Sequence, residues 1–113
     1  MKFLSTLGFA SYLPFSYAQS FENLRFISGF PPGGTVDTVC RRVAEKLRTN
    51  GFAKNSVVEN RTGAGGQIAV QSMKTVPADG STLLLTPMSM LGIYPHIYKK
   101  LQYDPLKDLI PVS

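Results

Sequence analysis

At 113 residues the chain is one small domain at most, and 43% hydrophobic with 17% charged residues is the composition of a globular chain rather than a disordered one. Twelve Lys and Arg against seven Asp and Glu give a net charge of +5, carried by pairs such as Arg41-Arg42 and Lys99-Lys100 and by singletons. The long basic runs and interleaved aromatics of a nucleic-acid surface are missing, so the charge reads as a solvated face and nucleic acid is excluded as a partner.

The N-terminus reads as an address. Met1-Lys2 is a short positive region, "FLSTLGFASYLPF" an apolar stretch too short to span a membrane, and "SYAQS" a small-residue site. Together they predict a secretory signal over residues 1–18, cleaved after Ala18, with residues 19–113 as the mature domain. Ser5, Thr6, Ser11 and Pro14 dilute the apolar stretch, and a surface-anchored amphipathic segment is the alternative.

Next, the apolar run Leu24 to Ser28 predicts a strand, followed by the corner "FPPGG". Proline fixes φ and removes a donor, whereas glycine lets a ligand approach bare backbone. Behind the corner Val36, Val39, Cys40, Val43, Ala44 and Leu47 recur at intervals of three and four, which predicts a helix burying that stripe. Thr35 is the expected N-cap, Asp37 suits the positive end of the helix dipole, and Asn50-Gly51 stops the helix.

The unit then repeats. "SVVEN" (Ser56 to Asn60) is a second strand, "RTGAGG" (Arg61 to Gly66) a second glycine corner, and Ile68, Ala69, Ser72, Met73 and Val76 the stripe of a second helix. After the turn "ADG", "STLLLT" (Ser81 to Thr86) is a third strand, apolar enough for burial on both faces. "MSMLGI" predicts a short helix cut off by Pro95. Three strand-then-helix passes in one direction define the fold class as α/β, a parallel sheet with covering helices.

In such sheets ligands sit outside the carboxyl ends of the strands. Here the strand-to-helix loops are "PPGG", "RTGAGG" and "TPMSM", whose backbone N–H groups and hydroxyls fit a carboxylate or phosphate. The expected donors are the N–H groups of Gly33, Gly34, Gly65 and Gly66. Tight turns that merely permit close helix-strand packing are the structural alternative. "GAGG" does not match G-x-G-x-x-G, and no G-K-[ST] follows, which argues against a nucleotide fold. Asn60-Arg61-Thr62 matches a glycosylation acceptor, a three-residue pattern that chance supplies often.

Catalysis has little to stand on. Cys40, the lone cysteine, falls on the apolar stripe and reads as a small buried hydrophobe. His96, the lone histidine, has no partner for a metal site or a triad.

The ordered set "FPPGGTVD", "VVENRTGAGG", "PADGSTLLL" and "YPHIYKKLQYDPLKDLIPVS" resembles the N-terminal part of the Bug-type extracytoplasmic receptors of tripartite tricarboxylate transporters, from about Leu24 to Ser113. The resemblance implies part of the first lobe of a two-lobed periplasmic binding protein. Such a receptor closes over a small carboxylate and hands it to the membrane components of the transporter. It is not an enzyme and uses no cofactor or metal. Carried onto this sequence, the ligand-binding positions are Phe30, Gly33, Gly34, Thr35 and Asp37 in the first loop. Gly63, Ala64, Gly65 and Gly66 follow in the second, and Thr86 and Ser89 in the third. Asp37 reads as a loop-ordering residue rather than a ligand contact. Thr62 stands where the family commonly has proline, which removes a φ constraint. Family members continue past "DPLKDLIPVS", so the resemblance also implies a truncated chain whose second lobe is missing. A non-binding structural or interaction remnant is the alternative function, and an enzyme of nucleotide or acyl chemistry stands third.

Overall fold

The computed structural model describes residues 20–112; the predicted signal over residues 1–18 lies outside them. Strand β1 (Phe21–Ser28) leads through the Pro-Gly corner into helix α1 (Thr35–Thr49), and strand β2 (Ala53–Asn60) leads through a 3-10 turn at Ala64–Gly66 into helix α2 (Gln67–Ser72). Strand β3 (Thr82–Leu85) follows, then two single-turn helices, α3 (Ser89–Gly92) and α4 (Tyr94–Ile97). All pairing is parallel and the strand order is β2-β1-β3, with Ser28 opposite Asn60 on one side and Leu85 on the other.

Period-two alternation divides β1 between two cores. Leu24 and Phe26 pack with Cys40 and Ala44 of α1 and with Ala53, and Leu47, Val58, Leu83 and Leu85 close around them. On the opposite face Val70, Met90 and Tyr103 form a second cluster with Leu84, Tyr94, Leu101 and Leu109. The Tyr103 hydroxyl donates to the Met90 carbonyl at 2.6 Å, so its burial leaves no polar atom stranded. Helices thus cover both faces of a central β1.

Four expectations need correction. The stripe of α1 is rotated: Val39 and Val43 are exposed, at 45% and 37%, while Asp37, Cys40 and Ala44 are buried. Polar bonding to Asp37 sets this phase in preference to valine burial. Gly34, not Thr35, is the N-cap, and no side chain caps there. In α2, Ile68 is exposed and Val70 is buried, because six residues are too few for a period to fix a face. Pro95 does not end a helix but lies in the first turn of α4, where its missing N–H costs nothing. The three leucines of β3 pack toward both faces, as expected, yet each is only half-buried at the sheet edge.

Candidate functional site

The order β2-β1-β3 makes the chain leave β1 toward one side and cross back to the other. Such a change of direction opens a crevice at the carboxyl ends of β1 and β3. The three loops gathered there are built by different means.

Loop one, between β1 and α1, is fixed by side chains. Gly33 has φ 85°, a left-handed conformation that glycine adopts without penalty, and the Gly34 amide closes a turn onto the Pro31 carbonyl at 3.3 Å. Asp37, third residue of α1 and fully buried, reaches back: its Oδ2 accepts from the Gly33 amide at 2.9 Å and from Arg41 Nε at 2.9 Å. Its Oδ1 accepts from Asn60 Nδ2 at 2.7 Å. These donors hold the Asp37 carboxyl down at about 2, with the Arg41 hydrogen bond the largest cause, then Asn60, then the Gly33 amide. This carboxylate orders the loop and is saturated by doing so. Cys40, one turn further on, is buried, and burial pushes its thiol up.

Loop two, between β2 and α2, is fixed by the absence of side chains. Gly63, Ala64, Gly65 and Gly66 follow one another at φ 134°, 48°, 65° and 94°, a run of positive values that non-glycine residues avoid. A Cβ on Gly29 would stand 2.9 Å from the Gly66 Cα, and one on Gly66 would stand 3.1 Å from the Phe30 ring and 3.3 Å from Met90 Cε. The first two loops therefore touch backbone to backbone, with Met90 beneath them.

Loop three lies between β3 and α3; beyond it Tyr94, the first residue of α4, donates its hydroxyl to the Gly65 carbonyl at 3.1 Å. Thr86 and Ser89 are half-buried, and among the described residues no hydrogen bond ties them to the other loops. Phe30 and Gly66 are thus brought together, with Gly65 held against Tyr94 and Gly33 against Asp37.

The expected donor set changes. The Gly33 amide serves Asp37, the Gly34 amide serves Pro31, and the Gly66 amide serves Gly63 at 3.0 Å. The first bond of α1 runs from the Thr38 amide to the Gly34 carbonyl, so the amides of Thr35, Val36 and Asp37 precede the helical ladder and have no acceptor within it. With α1 fifteen residues long, these amides sit at the positive end of a full helix dipole.

Sequence reasoning missed Asn60, Arg41, Gly29 and Tyr94. Arg41 lies four residues after Asp37, a spacing that can be read as a helical ion pair. Asn60 closes the second strand, whereas nothing local marks Tyr94 as a partner of Gly65, 29 residues earlier. Among the described residues no group of three His, Cys, Asp or Glu is gathered for a metal. A wide-open hollow of about 530 Å³ lies beyond α4 among Lys74, Tyr98, Lys99, Tyr103 and Asp108, away from the glycine loops.

Residues 39–113 match the family described as "Tripartite tricarboxylate transporter family receptor". The chain belongs to this receptor family. It is 38% identical over 91 residues to Protein BugT of Bordetella pertussis, an alignment that covers 80% of this chain and 28% of the relative. Among solved structures it superposes on the periplasmic binding protein BugD with a TM-score of 0.68 at 31% identity, covering 76% of this chain and 28% of that one. The same TM-score, at 30% identity and with 74% and 28% coverage, relates it to the R. palustris protein Rpa4515, solved with adipate. This receptor-family chain spans less than a third of the length of the relatives it matches, within one lobe of the periplasmic binding fold.

Proposed function

We propose that the chain supplies one wall of a carboxylate pocket in a periplasmic solute receptor that serves the membrane components of a tripartite tricarboxylate transporter. The observation that carries this reading is the meeting of the first two strand-end loops, Gly29 and Phe30 against Gly66, beside the start of α1, whose Thr35 and Val36 amides can donate to an anion. The adipate held by the R. palustris neighbour is a linear dicarboxylate, and one end of such an acid fits this donor set. The role is capture and delivery without chemical change: the loops offer no nucleophile or base, and Asp37, the one acid among them, is saturated. The reading includes export through residues 1–18 and an opposite pocket wall in a second lobe outside these 113 residues.

A second reading, that this part of the receptor binds nothing by itself, is favoured by one observation. The hollow of about 530 Å³ beyond α4 does not touch the glycine loops. Amide-resolved NMR with added adipate separates the two. The receptor reading expects shifts centred on Thr35, Val36 and Gly65, saturating with a Kd of about 1 mM or weaker, near −4 kcal/mol, because one open wall leaves the carboxylate hydrated. Shifts spread evenly over the basic surface, or none, would favour the non-binding piece.

A further inference from the structure

We infer that Asn60 is a positioning residue for the carboxylate pocket, a latch that sets loop one and the first turn of α1 in binding shape. The inference rests on the receptor reading for its consequence in binding, while its geometry stands apart from it. Asn60 ends β2 opposite Ser28 of β1, at the seam where loop one departs. Its Nδ2 donates to the Phe30 carbonyl at 2.9 Å and to Asp37 Oδ1 at 2.7 Å, and its Oδ1 accepts from Arg41 Nη2 at 3.2 Å. The amide cannot be turned over: a carbonyl would then face both the Phe30 carbonyl and the Asp37 carboxylate, and an NH₂ would face a guanidinium. One planar group therefore locks loop, helix start and strand end into a single arrangement.

The latch also sets the charge of the corner. Asp37 stands in the turn where an incoming carboxylate would meet the α1 amides, and an unpaired anion there would repel it. Arg41 offsets that charge, and Asn60 holds both partners in place without adding another. The remaining charged or titratable groups nearby are the buried Cys40 thiol on α1 and, in β2 and just after it, Glu59 and Arg61, bonded to each other at 2.7 Å. Arg25 of β1 adds a 3.7 Å contact to Glu59.

Asn60→Asp keeps the shape and replaces the donor by a second carboxylate facing Asp37, so that the pair favours sharing one proton. In ligand-free protein at neutral pH the expected result is displacement of the Gly33 and Thr35 amide resonances, with return toward the wild-type positions on acidification as the shared proton restores a donor. The Gly33 amide reports titration of the Asp37 carboxyl it bonds, which is held low in wild type, and its midpoint moves up in the variant. Asn60→Ala displaces the same resonances without the acid-driven return. With adipate as probe, both variants lose affinity by about tenfold or more relative to wild type at neutral pH, and the ratio recovers in acid only for Asn60→Asp. Gly33 and Thr35 resonances that superimpose on wild type in Asn60→Asp, with an unmoved midpoint, overturn the latch. If wild type shows no adipate shifts, the receptor reading falls while the ligand-free titration still judges Asn60. Should either variant not fold, the wild-type Asn60 side-chain NH₂ decides: slow exchange with water supports the latch, and exchange at the rate of a free carboxamide overturns it.

Discussion

Loop one and loop two meet backbone to backbone, yet they are held by opposite means. Loop one keeps its shape because Asp37, Arg41 and Asn60 fill it with directed hydrogen bonds. Loop two keeps its shape because Gly65 and Gly66 take left-handed conformations and leave space that Tyr94 and Phe30 occupy, while Gly29 of loop one lets the two backbones meet. The contrast extends to the glycines themselves. Gly33 in loop one has a left-handed φ of 85° with nothing within 4 Å of an added Cβ, whereas Gly29 has no such conformation and no room at all. A conformational demand and a volume demand call for the same residue at two places in loop one, and they fail under different insults: its turn into α1 is sensitive to charge and pH, its contact with loop two to bulk.

Gly29→Val should have the largest effect. Its Cβ meets Gly66 backbone atoms at 2.9 and 3.0 Å and the Ala69 Cβ at 3.1 Å, none of which can swing aside, so a loss of about 3 kcal/mol is expected by denaturant unfolding. A loss below about 1 kcal/mol would show that the loops can part without cost and would dissolve the contrast.

Acid comes next. The Asp37 carboxyl is lowered in the folded state from 3.8 to about 2, so its stabilising contribution is complete above the unfolded value and is lost as pH falls through the folded one. Stability measured from pH 4 down to 2 should therefore drop less steeply in Asp37→Ala, which starts lower, than in wild type. Glu59, Asp79 and Asp108 are also lowered by their hydrogen-bond partners and supply the slope that remains. Parallel slopes in the two proteins would mean that loop one is not held by this charge.

The smallest effect is expected on the solvent flank of α1. Val43→Asp should change stability by no more than about 0.5 kcal/mol, because Val43 is 37% exposed and an aspartate there stays in water. A loss of about 2 kcal/mol or more in urea would put Val43 against the sheet and return the helix to the phase its valines prefer.

The valine stripe marks where the sequence stops being readable. Three parallel strands follow from three short apolar runs, each preceding a glycine or proline corner and a helical period, and the pairs Leu24 with Ser56 and Phe26 with Leu83 confirm their common direction. The phase of α1 does not follow, because an aspartate counts as a surface residue until its partners are known. One of these, Asn60, lies 23 residues further along the chain. The same blindness affects the site. Four glycine amides look free in one dimension, but three of them are engaged by Asp37, Pro31 and Gly63 once the turns close, which leaves Gly65 and adds Thr35 and Val36 as the candidate donors. Glycine corners announce where a loop bends and say little about which of its hydrogens remain.

Cys40 adds a different kind of consequence. Its sulfur lies wholly covered between α1 and the sheet, and as a protonated thiol it is inert toward alkylating reagents in that position. Reaction then requires an excursion in which the helix lifts away, so the chain carries a clock for its own breathing. Because that sulfur sits within one turn of Asp37, the clock is wound at the end of α1 that loop one enters, and its rate distinguishes a helix that peels from its first turn from one that leaves only when the whole sheet comes apart.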